Sequence, residues 1–231
     1  MVIETKPQND VFWKALIFTV FIFLLGVFMG YVLEEKRLNN VQEEFEQLVV
    51  DWGDVRTQAA YYQTLGDDPL VCDRAVDENL NFGDRIYYSG LRLEEYEEAN
   101  RLTDKLQFEK QKHNMLRTEF YINSLVLKEK CDAQYDIVVY FYVDNAGDFD
   151  LDLNARQNVL SIVLKDLKEE KGPDLVLIPL AANMGISVVN ILLDTYDIEE
   201  FPSLLLLSDD GYEVLSGVQS VGDIEPLLSP F

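Results

Sequence analysis

Nineteen consecutive residues, Ala15 to Leu33, carry no charge, and Thr19 is their only strongly polar side chain. A helix of that length is about 28 Å long, close to the thickness of a bilayer's hydrocarbon core. In hydrocarbon, a helix is the one single-segment structure that satisfies its own backbone hydrogen bonds. Trp13 and Tyr31 stand at its two ends as an aromatic belt requires, and Lys14 can snorkel to the surface. A core helix of a soluble protein is rarely apolar on every face over such a length. A cleaved signal peptide has a shorter apolar run followed by a small-x-small site, which this chain lacks. The sequence therefore predicts an N-terminal tail over 1–14, a transmembrane helix over 15–33 and the lipid bilayer as a first partner.

Charge bounds what the rest of the chain can meet. The formal net charge is −23, with 21 acids against 13 bases over residues 34–131 and 19 against 4 over 132–231. A field of that sign repels nucleic acid and anionic lipid, so neither is expected as a partner beyond the span. It keeps a tethered domain soluble, attracts cations or basic proteins, or reflects a high-salt habitat; one sequence leaves these open. Lys6 and Lys14 before the span balance Lys36 and Arg37 after it, so the positive-inside count is a draw. A short tail before a first span commonly stays inside, and two cysteines suit an oxidising space. The expected location is thus the cell membrane, single-pass, with the N-terminus cytoplasmic and the C-terminal bulk extracytoplasmic.

Residues 34–131 read as an all-α coiled-coil and helical-hairpin stalk. Leu38, Val41, Phe45, Leu48, Trp52, Val55, Ala59 and Tyr62 alternate three and four apart, an a/d seam that needs a partner helix from a second copy or from a later segment. Gly26 and Gly30 form a small-xxx-small pair that can pack membrane helices. Continued backward, however, the heptad places Leu24, Val27 and Tyr31 on the seam, so a homodimer through the stalk stays an open expectation. Gly66-Asp67-Asp68-Pro69 ends one helix and starts the next, with Asp68 placed to cap it. Helical composition continues to about Lys130, weakened at Asn81-Phe82-Gly83 and Ser89-Gly90. Leu102, Leu106, His113, Leu116, Phe120 and Leu127 fall near one face. The single histidine in that apolar row reads as packed or half-exposed and not as catalytic or metal-binding, since no histidine or cysteine stands at ligand spacing.

Cys72 and Cys131 lie near the two ends of this region. One continuous helix would hold them about 90 Å apart, whereas a disulfide needs Cα atoms within about 6 Å. A structural disulfide therefore demands a helical hairpin turning around residues 90–101; two free thiols or an interchain bridge are the alternatives.

Residues 132–231 change character. Ile137 to Val143 is a buried-strand pattern, and Ala155 to Lys171 is an amphipathic helix with Val159, Ile162, Val163, Leu164 and Leu167, stopped by Gly172-Pro173. Strands at 175–180, 203–207 and 212–216, helices at 188–196 and about 221–228, and the turn Asp209-Asp210-Gly211 complete the order βαβαββα. That order implies an α/β domain whose sheet is covered on both sides.

The run Tyr196-Asp197-Ile198-Glu199-Glu200-Phe201-Pro202-Ser203, followed by apolar residues, Asp-Gly and a strand ending at Gly217, resembles the C-terminal half of a thioredoxin-fold domain. The resemblance covers about residues 132–231. It implies that Pro202 follows a cis bond, and that Phe201, Pro202 and the acidic loop over 144–154 are the first place to seek a peptide contact. Enzymes of that family carry Cys-x-x-Cys at the start of the first helix, where the helix N-terminus stabilises a thiolate. Here that connection contains Asp144, Asp148, Asp150, Asp152 and Asn154 but no cysteine, and Cys131 precedes the first strand. Without a thiolate beside the proline, dithiol exchange has no nucleophile.

The acidic loop fails the EF-hand test, with Leu153 at the turn-glycine position and Val159 in place of the final acid. Acids ahead of a helix are also favourable without metal. No catalytic residue, metal or cofactor is therefore expected. The sequence predicts a membrane-anchored, redox-inactive thioredoxin-like protein that binds or scaffolds another protein. Two alternatives remain: a structural subunit of an envelope complex assembled through span and stalk, or an atypical thiol-disulfide oxidoreductase using Cys72 and Cys131.

Overall fold

The computed structural model describes residues 8–65, 69–99, 104–145, 149–208 and 211–229. The chain divides into two compact units, residues 1–44 and 45–231. Helix α1, Gln8–Leu65, is continuous. Its segment Phe12–Leu33 is long and apolar enough to cross a membrane, and its large apolar side chains are exposed. The segment begins at Phe12 and not Ala15, because Phe12 and Trp13 carry the apolar surface past the single charge of Lys14. The side chains of the seam (Leu38, Val41, Phe45, Leu48, Trp52, Val55, Ala59, Tyr62) lie outside the described residues, as do Asp68 and Leu102.

Two further helices, α2 (Pro69–Ala99) and α3 (Asp104–Cys131), form an antiparallel hairpin. Cys72 and Cys131 are joined at its base, with Cα atoms 5.3 Å apart and 59 residues between them in sequence. Of the window 90–101 expected for the turn, residues up to Ala99 are helical and the rest lie outside the described residues. Where the composition weakens, at Gly83 and Gly90, α2 nevertheless runs on unbroken. Each glycine costs a helix about 1 kcal/mol relative to alanine, and here each marks a close approach of α3. A Cβ on Gly83 would stand 2.6 Å from Phe120 Cζ, and one on Gly90 would stand 2.7 Å from Arg117 Nη2 and 3.0 Å from His113 Cε1. Several buried polar groups of the hairpin are partnered. Asn79 donates to Ser124 Oγ and accepts from Asn123, while Tyr135 donates to the Ser124 carbonyl.

The rest is a four-stranded sheet of β1 (Asp136–Tyr142), β2 (Leu175–Ala181), β3 (Ser203–Ser208) and β4 (Gly211–Ser216), in the order β2-β1-β3-β4. β1 is parallel to β2 and antiparallel to β3, and β4 is antiparallel to β3. Helix α4 (Leu151–Lys171) joins β1 to β2, and α5 (Ser187–Thr195) joins β2 to β3. Helix α6 (Val221–Ile224) follows β4 and passes into a 3₁₀ turn over Glu225–Leu227. It is shorter than the sequence suggested because Pro226 removes a donor the helix would need.

Side chains alternate across the sheet with period two. Ile137, Val139, Phe141, Val176, Ile178, Leu180 and Leu205 meet Phe82, Ile86, Leu116, Phe120 and Tyr121 of the hairpin and Val189 of α5. Val138, Tyr140, Leu175, Leu204 and Leu206 meet Leu160, Leu164 and Leu167 of α4 and Ile224 and Leu228 beyond β4. The hairpin thus shares a core with the sheet instead of standing apart from it. Asp136, buried at the start of β1, accepts from the Ser229 backbone N–H at 2.6 Å and from its hydroxyl at 2.9 Å, pinning the C-terminal segment.

The inward face of α4 differs from the one expected. Val159 and Ile162 are 50% and 62% exposed, and the buried residues are Gln157, Leu160, Leu164 and Leu167. A buried glutamine is accepted because of what it does at the end of β1.

Candidate functional site

The candidate site is the carboxyl end of β1, the entrance to α4 and the segment before β3. Gln157 reaches back from α4 to the main chain of Val143, accepting from its N–H at 2.7 Å and donating to its carbonyl at 3.1 Å. Asn183, after β2, does the same for Asp144, at 2.8 Å and 3.0 Å. These two amides replace sheet partners where the ladder ends, so the backbone groups are satisfied and the strand tip is fixed.

Fixing the tip fixes the Asp144 side chain, which is turned toward the hairpin and buried. Its Oδ1 lies 2.5 Å from Lys110 Nζ, which is also 2.8 Å from Glu97 Oε1. Lys110 donates to Asn145 Oδ1 at 3.5 Å, and Asn145 donates to Asp144 Oδ2 at 2.8 Å. Burial on its own pushes the Lys110 ammonium toward losing its proton. Hydrogen bonds and charge attraction from Asp144 and Glu97 outweigh that, and its pKa is raised. A buried cation held by two carboxylates closes this end of the sheet to any ligand that would need Asp144.

Two further acids of the loop are also engaged. Asp150 caps α4, its side chain accepting from the Leu153 N–H at 2.9 Å, which starts the helix at Leu151 and not near Ala155. Asp152 pairs with Arg156 at 3.0 Å. Asp148 lies outside the described residues. Beside these acids, Phe149 and Leu151 are 67% and 77% exposed.

The Phe201–Pro202 peptide is cis. Pro202 is buried, its carbonyl accepts from the Gly217 N–H at 2.7 Å, and Ser203 Oγ donates to the Glu200 carbonyl at 2.6 Å. Phe201 is half-buried against the core. Phe141 is paired with Ser203, which sets Tyr142 beside Pro202. The Tyr142 hydroxyl accepts from Arg117 Nη1 at 3.4 Å; burial raises its pKa and the guanidinium opposes that. Asn114 of α3 holds the backbone of Ala181, donating to its carbonyl and accepting from its N–H, each at 2.9 Å.

The two cysteines are elsewhere. Cys131 ends α3 just before β1 begins, and seven strand residues at about 3.3 Å each separate that end from the candidate site. Both sulfurs are consumed in one bond. Gly26 and Gly30 are in α1, where a Cβ would meet nothing within 4 Å. His113 is buried on the hairpin's inner face, with Nε2 3.0 Å from the Ile86 carbonyl.

Lys110, Asn114, Arg117, Gln157 and Asn183 were not singled out from the sequence. Only Gln157 carried a signal, as a polar residue in line with Leu160, Leu164 and Leu167. The others are ordinary polar positions whose role exists only once α3 lies along the sheet.

No protein-family model matches the chain, and no curated protein matches it. Among solved structures, the chain is similar to chloroplastic thioredoxin z at 11% identity, over 45% of this chain and 84% of that one, with a TM-score of 0.34.

Proposed function

We propose that this chain is a single-pass, membrane-anchored protein with a thioredoxin-like head, and that the head holds another protein at the extracytoplasmic membrane surface without exchanging disulfides. The observation that carries the reading is the occupant of the carboxyl end of β1. Where the resemblance places a dithiol, the Lys110–Asp144–Glu97 cluster stands instead, and both cysteines are bonded to each other beyond the opposite end of the strand. The disulfide favours an oxidising space. The apolar segment Phe12–Leu33 supports the anchor.

The contact surface of this reading is the rim of the site: the exposed Phe149 and Leu151 and the half-buried Phe201 over the buried Pro202, with Asp150 and Asp152 beside them. An exposed ring and an exposed aliphatic next to acids suit an apolar segment flanked by basic residues, and the excess of acids over residues 132–231 would draw such a partner in.

The test is cross-linking in the native membrane, followed by capture of the full chain and identification of what is bound. Phe201→Ala and Leu151→Glu should each weaken retention of a specific partner about tenfold, roughly 1.4 kcal/mol, and added salt should weaken it further. Equal retention by both variants would move the interface to the stalk. Catalytic reduction of a disulfide substrate that is abolished by Cys72→Ser would establish the thiol enzyme in its place.

A further inference from the structure

The β4 edge of the sheet presents main-chain groups that the chain itself does not use. The Gly217 N–H donates to the Pro202 carbonyl, and the pairs that follow run in unbroken register from Ser203 with Ser216 to Ser208 with Gly211. Bonded residues alternate in an antiparallel ladder, so Gly211, Glu213 and Leu215 bond to β3, while Tyr212, Val214 and Ser216 turn their main chain outward. The Ser216 carbonyl is taken by Gln219 Nε2 at 2.8 Å. Among the described residues, the N–H and carbonyl groups of Tyr212 and Val214 meet no partner.

Open edges are ordinary, but most are guarded by lysine, proline or a bulge. Residues 211–216, Gly-Tyr-Glu-Val-Leu-Ser, hold none of these. Their one charge is Glu213, exposed at the middle of the strand. Tyr212 is 64% exposed, its ring edge-on to Tyr196 at 5.0 Å between centroids, and Val214 and Leu215 are half-buried. A strand added here finds main-chain donors and acceptors in line, Tyr212 and Val214 on one face and a carboxylate on the other. Directly opposed residues share a face, so that carboxylate selects a basic side chain and repels an acid. The 19 acids against 4 bases over residues 132–231 give the same preference at longer range and oppose the approach of a second copy.

We infer that the β4 edge takes an extended segment of another protein as an added antiparallel strand, with lysine or arginine opposite Glu213 and β-branched or aromatic residues opposite Tyr212 and Val214. Main-chain pairing holds the segment, and the side chains choose it. Antiparallel pairing is the slightly stronger arrangement per residue. The contact is separate from the rim of Phe149, Leu151 and Phe201, because Tyr212 pairs with Leu207, at the end of β3 away from Pro202. It stands or falls independently of that rim.

The test uses the full chain in nanodiscs, with a capped heptapeptide of alternating valine and lysine as the probe. At saturating peptide, hydrogen exchange of the Tyr212 and Val214 amides should slow about tenfold or more, while Glu213 and Leu215 are protected with or without it. Methyl groups on the valine nitrogens should abolish binding, whereas methyl groups on the lysine backbone nitrogens, at the same charge, should not. Glu213→Lys should weaken the peptide about tenfold, and Asp166→Lys, the same charge change on α4, by less than about twofold. Equal effects of the two methylation patterns, or of the two variants, would mean that charge alone gathers the peptide and would overturn the inference. Slow exchange of Tyr212 and Val214 before any peptide is added would also overturn it, because the edge would already be covered by a second copy or by the chain itself.

Discussion

His113 shows how little a residue type says until its surroundings are known. Burial, assisted by the Arg117 guanidinium, lowers its pKa from 6.5 to about 3, although the Ile86 carbonyl pulls the other way. It is therefore neutral, with Nε2–H donating to that carbonyl. An unfolded chain takes up a proton near pH 6.5, but the folded one resists until about pH 3. His113 thus leaves stability untouched above pH 6.5 and withdraws it as pH falls through that window, by up to about 1.4 kcal/mol per unit. Between about pH 7 and pH 5, the parent should lose roughly 2 kcal/mol more than His113→Gln, measured as the difference between their denaturant midpoints. Equal losses would mean that the ring is charged in the fold. The sequence placed this histidine correctly in an apolar row. It could not show the carbonyl on which the ring rests, because Ile86 is on another helix.

Among the elements, α2 teaches most. Read along the chain, Gly83 and Gly90 looked like weaknesses; read across to α3, they are the positions where the helices touch. The spacing of seven was visible, but its meaning depended on Phe120 and His113, more than twenty residues away. Gly83→Ala improves helix propensity by about 1 kcal/mol, yet it drives a methyl into the Phe120 ring. A net loss of about 1–3 kcal/mol is expected, read as a lower midpoint in chemical denaturation; a gain would show that Phe120 can move aside. Helix α4 repeats the lesson. Val159-Leu160 and Ile162-Val163-Leu164 are contiguous apolar pairs and triplets, so periodicity alone allowed more than one inward face. The choice was made by Gln157, whose amide is needed at the tip of β1.

At the scale of the molecule, one bond ties residues 59 apart in sequence. In the chain-entropy model, closing a loop of that size contributes about 4 kcal/mol. Replacing both cysteines by serine should lower the unfolding free energy by about that amount, while circular dichroism at low denaturant stays unchanged. A much smaller loss would mean that the unfolded chain keeps the hairpin. The strand pattern, the hairpin and the apolar N-terminal segment were legible because each is a local period or a covalent constraint. The cluster at the end of β1 was not, because Lys110, Asp144 and Asn183 meet only through the packing of three separate elements.

The two edges of the sheet are treated differently. Ala182 donates to Tyr142, so by the period-two rule the odd-numbered residues of β2 turn their main chain outward. Along that border the Leu175 carbonyl is taken by Lys168, residue 179 is a proline with no hydrogen to offer, and both groups of Ala181 are taken by Asn114. Among the described residues, β4 is paired only with β3. Two heads meeting β4 to β4 would form a longer sheet with a stopper at each end. Strand addition to this sheet is therefore directed to the β4 edge.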